Sequence, residues 1–375
     1  EKMSKSKGNV IDPLYVIDKF GADAFRYTLA AFAAQGRDIK LSEERIEGYR
    51  HFINKLWNAS RFSLMHLDKF EPRVYEAHKE NSPSVADRWI VSRLNSVIDT
   101  VKDALDEYRF NEAAAALYQF VWHEFCDWYL EIIKPILYDE KSGEGEDVKD
   151  VQRARYEASR YTLWSVLSTV LRLLHPFTPF VTEEIWSKLP GAEGSVMRAD
   201  FPASDKRYQD TEAEREMALV MGVTGGIRNI RGEMNVPPAR FVDATVQSPN
   251  VGVRETLDRH RQMIKRLARL EDLKVTGPGK RPPSSATTVW GDTTIFVSLA
   301  DIIDFQAEQE RLKKEIVKIE KELTGVEKKL GNASFLTKAP SDVVEGVRVK
   351  KTQFVEKKSK LEKHLETVKG LASDA

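Results

Sequence analysis

Apolar positions recur three and four residues apart along much of the chain, the spacing that puts them on one face of an α-helix. In residues 43–67 the series predicts a long helix behind Ser42, which can cap it, with Glu43 and Glu44 at the positive end of the helix dipole. The series is Ile46, Tyr49, Ile53, Leu56, Trp57, Ser60, Leu64 and Leu67. Further helices are predicted at about 85–108, 111–137, 151–174 and 181–189. Short connections between such helices favour an antiparallel bundle.

Two shorter helices are predicted before the bundle, at 13–20 and 23–34, with Pro13 behind a capping Asp12. After the bundle the pattern changes to a helix at 212–231, a strand-like run at 241–246 and a basic helix at 253–270. The run VWGDTTIFVSL predicts a hairpin that turns at Gly291-Asp292. This part is expected to form a small α+β domain.

Residues 306–375 carry two heptad series, separated by the break GNASFLTKAP. The first series is Gln309, Leu312, Ile316, Ile319, Leu323, Val326 and Leu330, and the second is Val344, Val347, Lys351, Phe354, Lys358, Leu361, Leu365 and Val368. Two such arms joined by a Gly/Pro break predict an antiparallel two-helix coiled coil. The lysines at core positions of the second arm predict modest stability.

The expected fold is therefore mainly α, with an antiparallel helix bundle followed by a small α+β domain and a C-terminal antiparallel two-helix coiled coil. The expected domains are 1–40, 41–211, 212–305 and 306–375.

Composition narrows the function classes. Lys plus Arg and Asp plus Glu are both 58, so net charge gives no support for nucleic-acid binding and any such role must rest on local patches. The single cysteine, Cys126, lies in an apolar run and is expected to be buried and inert, which suits a reducing cytosol. No zinc-type spacing and no apolar stretch long enough for a membrane span occurs.

The first residues, EKMSKSKGN, combine cations, hydroxyls and a glycine. Lysines supply point charges, serines donate hydrogen bonds, and Gly8 lets the backbone approach a ligand. This chemistry suits a polyphosphate, where lysines would stabilise the charge that develops as pyrophosphate leaves. On composition alone, a solvated lysine loop is the alternative.

The exact order KMSKSKGN resembles the KMSKS signature of the class I aminoacyl-tRNA synthetases. The following GNVIDPLYVIDKFGADAFRYTLA resembles the subgroup that charges valine, isoleucine and leucine. Similarity to the valyl-tRNA synthetase family extends along essentially the whole chain, through GRDIKLSEERIEGYRHFINKLWNASRF, DRWIVSRLN, LHPFTPFVTEEIW, IRNIRGEMNVPP and LGNASFLTKAP.

The resemblance implies activation of valine by ATP, with Mg²⁺, and transfer to valine tRNA. It assigns catalytic roles to Lys2 and Lys5, with Lys5 the stronger ATP contact, and ATP-loop roles to Ser4 and Ser6 beside Met3. Residues 1–40 would then hold this loop and a segment that touches the tRNA stem.

The family's nucleotide-binding fold, its His-Ile-Gly-His signature and its editing domain find no counterpart in the sequence. The chain is therefore expected to be a C-terminal, tRNA-binding fragment that is inactive alone and binds no cofactor. It is further expected to be monomeric and cytoplasmic.

The family uses the bundle to recognise the anticodon. On the helix 43–67, Phe62 is predicted to lie away from the Trp57/Leu64 stripe, on the side of Lys55 and Asn58, where it could stack on an unpaired base. Packing of Phe62 against another helix is the alternative.

Other RNA contacts are expected nearby. They are Asn58 at a base edge, Arg61 and Arg50 at phosphates or in stacking, and Arg37 at the inside of the tRNA L. A salt bridge to Asp38, Glu43 or Glu44 is the alternative for Arg37.

The coiled coil is predicted to reach the outer corner of the tRNA, where the D and T loops meet. Its second arm, 346–370, has eight Lys/Arg against three Glu, whereas the first, 306–330, has seven against six. The candidate contacts are Arg348, Lys350, Lys351, Lys357 and Lys358, with Lys360 and Lys363 nearby. Simple solvation of these charges is the alternative.

Two other functions stay open on the residues. One is a non-catalytic helical scaffold that binds a partner protein through the coiled coil. The other is the equivalent part of an isoleucyl- or leucyl-tRNA synthetase.

Overall fold

The computed structural model describes residues 11–33, 41–72, 83–138, 146–300, 305–332, 335 and 340–373. The chain divides into two compact units, Glu1–Ala218 and Leu219–Ala375. None of the helices in the described ranges is long and apolar enough to cross a membrane.

The first unit is helical. Its helices are α1 (Pro13–Phe20), α2 (Ala22–Phe32), α3 (Glu43–His66), α4 (Val85–Asp106), α5 (Phe110–Tyr118), α6 (Leu130–Tyr138), α7 (Glu146–Leu174) and α8 (Pro179–Trp186). A π-helical segment, Gln119–Tyr129, joins α5 to α6. The helix α9 (Thr211–Glu233) begins in this unit and ends in the second.

Aromatic packing around α2, α3 and α5 forms much of the core of the first unit. The buried Tyr27 ring lies 5.0 Å from Phe52, and Phe52 lies 5.1 Å from Tyr118. The Tyr27 hydroxyl donates to the carbonyl of Ala114 at 2.6 Å. This packing satisfies the one polar group that a buried tyrosine brings with it.

The buried face of α3 includes Ile46, Leu56 and Ser60 of the predicted stripe but is rotated from the rest of it. Phe52, Ala59 and Ser63 are buried, whereas Ile53, Trp57 and Leu64 are only partly buried. Phe52 faces inward because its ring packs against the rings of Tyr27 and Tyr118. Ser42 makes no capping hydrogen bond through its side chain, so that expectation was wrong. The Asp12 cap is confirmed, with its carboxylate accepting from Leu14 N at 2.9 Å.

The predicted helix 111–137 is interrupted by the π-helical segment. Its buried residues recur five apart, as in Phe120 and Phe125 or Val121 and Cys126, which is the spacing of the wider turn. A pattern read for three-and-four spacing does not reveal such a turn. Cys126 is buried as expected, and burial raises the pKa of its thiol to about 12.

The second unit contains a four-stranded sheet in the order β2-β1-β4-β3. Its strands are β1 (Val242–Gln247), β2 (Leu270–Thr276), β3 (Ser285–Trp290) and β4 (Thr293–Ser298), with α10 (Val251–Arg259) and α11 (Arg261–Ala268) between β1 and β2. The pair β1–β2 is parallel, and the other pairs are antiparallel. The hairpin at Gly291-Asp292 is confirmed.

The predicted end of the basic helix 253–270 is wrong, because the backbone adopts a left-handed conformation at Arg269 and β2 follows. Arg254, Arg261 and Arg269 donate to backbone carbonyls. Arg254 donates to Ser248 O at 2.7 Å, and Arg269 donates to Pro238 O at 2.9 Å. These residues hold loops and strand ends in place.

The last two helices, α12 (Phe305–Leu330) and α13 (Ser341–Ser373), pack along each other. Cross-arm ion pairs join residue 327 to 351, 320 to 358 and 315 to 357, so the arms are antiparallel. Every predicted core position of both series is at least partly buried, with Leu312, Ile319 and Val368 fully so. The mainly α fold class with its small α+β domain and hairpin is confirmed.

Candidate nucleic-acid interface

Several predicted site residues lie outside the described part of the chain. They are Lys2, Ser4, Lys5 and Ser6, beside Met3, and also Arg37. Their roles stay predictions. Within the described ranges, no group of histidine, cysteine and acidic residues is arranged to hold a metal ion.

Phe62 lies near the end of α3 in a partly open aromatic cluster. Its ring centroid is 4.7 Å from that of His66 and 6.3 Å from that of Tyr138, and the Lys134 ammonium lies 5.6 Å from it. Tyr138 meets His66 edge-on at 4.9 Å and is itself 68% exposed. Phe62 is half-buried. The ring is therefore held on one side by neighbours and is open to solvent on another.

Arg160 of α7 fixes the end of α3 beneath this cluster. Its guanidinium donates to the carbonyls of His66 and Asp68, both at 2.8 Å. Burial, helped by the positive charge of Arg160, lowers the pKa of His66 below its usual 6.5, so the ring is neutral at pH 7. His66 Nε2 is buried and has no hydrogen-bond partner among the described residues.

The structure brings Asn58 and Arg61 together with Phe62. All three lie on one side of α3, three and four residues apart, and both polar side chains are exposed. An amide, a guanidinium and an aromatic ring thus share one face at the end of one helix. This set can hydrogen-bond a base edge, contact a phosphate and stack on a base.

Arg50 is exposed, but along the helix axis it lies about 12 Å from Asn58 and about 18 Å from Phe62. It lines a separate cleft of about 360 Å³ with Ile53, Asn54 and Phe180. Asn54 is exposed there. Arg50 therefore does not belong to the Phe62 cluster.

Lys55 lies on the side of α3 that carries Phe62, two helical turns earlier, as predicted. Its ammonium forms an ion pair with Asp127 and lies 4.1 Å from the centroid of the Trp122 ring. Lys55 therefore contacts the π-helical segment, about 10 Å along the helix axis from Phe62, and is not a member of the Phe62 cluster.

Sequence reasoning missed His66, Lys134 and Tyr138 as members of the cluster. His66 follows Phe62 by one helical turn, and that spacing was the available signal. Lys134 and Tyr138 come from the end of α6, and only the packing of α6 beside α3 brings them to Phe62.

The five predicted cations of the second arm differ in their surroundings. Lys351 pairs with Glu327 at 3.0 Å, Lys358 with Glu320 at 2.7 Å, and Lys357 with Glu315 at 3.6 Å, all across the hairpin. Arg348 lies 3.8 Å from Glu345 on its own helix. Lys350 is exposed and has no ion pair among the described residues.

The cross-hairpin pairs are consistent with a structural part for three of these lysines. Glu320 raises the pKa of Lys358, so the charge is retained where the heptad pattern would otherwise place an apolar residue. Contact with RNA through these residues stays a prediction.

Three protein families match separate parts of the chain. The family "tRNA synthetases class I (I, L, M and V)" matches residues 1–42, "Anticodon-binding domain of tRNA ligase" matches 87–246, and "Valyl tRNA synthetase tRNA binding arm" matches 304–369. The Phe62 helix lies between the first two matches.

Curated relatives match nearly the full chain. Valine–tRNA ligase of Geobacter sulfurreducens is 50% identical over 99% of this chain, and that of Syntrophotalea carbinolica is 49% identical over 99%. The enzyme of Nitratidesulfovibrio vulgaris is 46% identical over 96%. The chain covers 41%, 40% and 39% of these three relatives, about two fifths of their length.

Proposed function

We propose that this chain, a relative of the valine–tRNA ligases along nearly all of its length, is the tRNA-binding portion of such an enzyme. The enzyme would activate valine with ATP and transfer it to valine tRNA. Supporting this, matches to an anticodon-binding domain and to a tRNA-binding arm occur in one chain, in that order.

The chain would contribute one loop to the activation step. Lys2 and Lys5 would meet the charge that develops as pyrophosphate leaves Mg²⁺-bound ATP, and Ser4 and Ser6 would shape that loop. The match of residues 1–42 to the class I synthetases supports this assignment. Because the chain covers about two fifths of its relatives, we expect no valine activation from the chain by itself.

The first unit would bind the anticodon stem-loop at the Phe62 cluster. An unpaired base would stack on the open side of Phe62, while His66 and Lys134 hold the ring from behind. Asn58 and Arg61 would contact a base edge and a phosphate. The observation that carries this proposal is a half-buried aromatic ring beside an exposed amide and an exposed guanidinium on one helix face.

Arg50 and Arg37 would contact other parts of the tRNA, and the hairpin would contact its outer corner. Of the five candidate contacts of the second arm, Arg348 and Lys350 would be open to RNA, whereas Lys351, Lys357 and Lys358 would mainly hold the two arms together. The protein would act as a monomer in the cytoplasm.

Binding of transcribed tRNAs to the purified chain tests this function. Stacking on a base contributes about 1–3 kcal/mol, so Phe62→Ala should weaken binding of valine tRNA by roughly 5- to 150-fold. It should also remove the preference over a transcript with an altered anticodon. Phe201→Ala, which removes a partly exposed ring of the same unit, is the matched control and should leave both unchanged. Equal affinity of the unmodified chain for valine tRNA and for the altered transcript would refute the proposal.

A further inference from the structure

Some charged residues of the hairpin formed by α12 and α13 are paired across the two arms, and others are not. Glu315, Glu320 and Glu327 of the first arm each pair with a lysine of the second arm. These contacts neutralise the acidic residues of α12 that face its partner. They also neutralise three of the lysines that give the second arm its excess of positive charge in the sequence.

The outer face of the first arm carries cations instead. Lys314, Lys318, Lys321 and Lys328 are spaced by four, three and seven residues, which confines them to an arc of about 80° on the helix. All four are exposed, and none forms an ion pair with another described residue. We call these four residues the outer lysine stripe.

The stripe lies opposite the packed seam. Leu312 and Ile319, which are buried where the two helices pack together, lie about 140–160° around the helix from it at 100° per residue. From Lys314 to Lys328 the stripe runs about 21 Å along the axis, at 1.5 Å per residue. It is therefore a row of exposed ammonium groups on the solvent side of the hairpin, none of them in an ion pair with a described residue.

Gly325 occupies the one turn of the stripe without a lysine. In the described part of the chain no neighbouring atom lies within 4 Å of the position where its Cβ would be, so packing among these residues does not require a glycine there. Glycine in a helix interior costs roughly 0.5–1 kcal/mol relative to alanine. A residue without a side chain at this point lets a ligand backbone approach the helix closely.

The corresponding face of the second arm is not a cationic row. Its outward positions include Val349, Gln353, Glu356 and Lys360, all exposed. Val349 is apolar and Glu356 is acidic, so this face offers no continuous surface for a polyanion. The first arm therefore has the more continuous cationic surface, although the second arm has the larger excess of Lys and Arg over Glu.

We infer that the hairpin contacts RNA through the outer lysine stripe of its first arm, with Lys314, Lys318, Lys321 and Lys328 bound to the sugar-phosphate backbone. This inference rests on the proposed function, and it places the main row of contacts on the first arm. Lysines act as point charges on phosphates and carry no base specificity. The stripe therefore contributes affinity and salt dependence rather than sequence discrimination.

The salt dependence of tRNA binding by the full chain tests the stripe. The variant Lys314→Gln/Lys321→Gln/Lys328→Gln removes three charges and keeps good helix formers. The control Lys102→Gln/Lys206→Gln/Lys274→Gln removes three exposed lysines elsewhere. Each phosphate contact contributes about 0.7–0.9 to the slope of log affinity against log salt. The slope should therefore become shallower by about 2 for the stripe variant and should change little for the control.

Crosslinking supplies a second measurement that does not depend on the triple variant. Cys126 is buried with its pKa raised to about 12, so a new surface cysteine can be labelled selectively. A photocrosslinker at Lys321→Cys should capture bound tRNA far more efficiently than one at Lys360→Cys. The reverse order, or equal slopes for the stripe and control variants, would overturn the inference while tRNA binding itself stands. Failure of the unmodified chain to bind valine tRNA would instead refute the proposed function.

Discussion

Asp23 of α2 caps the first turn of α8, a helix more than 150 residues later in the chain. Its carboxylate accepts hydrogen bonds from the backbone amides of Phe180 at 3.3 Å and Val181 at 2.7 Å. Burial raises the pKa of Asp23, and these two amides act against that rise. One side chain thus links the start of the first unit to the last helix of its bundle.

Asp23→Ala should destabilise the first unit by about 1–2 kcal/mol, since it leaves two helix-terminal amides without a partner. Asp23→Asn keeps an acceptor oxygen and should retain most of the stability. Urea unfolding followed by circular dichroism measures both. Equal losses for the two variants would show that the charge, and not the capping hydrogen bonds, matters.

Gly222 and Gly225 of α9 form a matched pair for a packing test. A Cβ at Gly222 would lie 2.2 Å from Cε2 of Trp290, whereas one at Gly225 would meet nothing within 4 Å. Gly222→Ala should therefore cost about 1–3 kcal/mol through overpacking. Gly225→Ala should stabilise by up to about 1 kcal/mol through helix propensity. The melting temperature should fall for Gly222→Ala and rise for Gly225→Ala, relative to the unmodified chain. A change in the same direction for both variants would argue against the close contact with Trp290.

Lysines at the seam of the hairpin should be replaceable. Lys351 and Lys358 occupy core heptad positions and pair with Glu327 and Glu320, and exposed ion pairs of this kind contribute little. Lys351→Leu/Lys358→Leu should raise the melting temperature of the hairpin, because leucine buries apolar surface at those positions.

The same double variant bears on where RNA is bound. If the outer lysine stripe makes the contact, the salt slope of tRNA binding should stay close to that of the unmodified chain. A drop in the slope as large as that of the stripe variant would place the contact on the seam side.

His66 should make stability depend on pH. Its folded-state pKa lies below 6.5 because burial and Arg160 disfavour the charged ring. As pH falls below 6.5 the unfolded chain gains its proton first, so stability decreases until the folded-state pKa has also been passed. His66→Phe keeps a ring and removes this titration. Urea unfolding at pH 7 and pH 5 should show a smaller loss for the variant, and equal losses would contradict the shifted pKa.

The sequence predicted those parts of the fold that local periodicity dictates. Both heptad series and the Gly291-Asp292 hairpin are confirmed, because two-residue turns and 3-4 spacing are local signals. The strand β2 was missed because the basic run before it continued a helical pattern until the left-handed Arg269. The π-helical segment was missed because its five-residue repeat resembles ordinary helix over a short stretch.

The candidate site was predicted only in part, for reasons of long-range packing. Asn58, Arg61 and Phe62 share a helix face, and helical spacing reveals such groups. Tyr138 and Lys134 reach Phe62 only through the packing of α6. The lysines of the second arm were overvalued because composition does not show that Glu315, Glu320 and Glu327 pair with three of them across the hairpin.

The central claim is that this chain holds valine tRNA at two separated places. Chemical footprinting of valine tRNA with the purified chain tests it most directly. The account predicts protection of the anticodon loop and, separately, of the outer corner, with the anticodon protection lost in Phe62→Ala and the corner protection lost in the variant of the outer lysine stripe. Uniform protection along the tRNA, or protection confined to the acceptor stem, would contradict it.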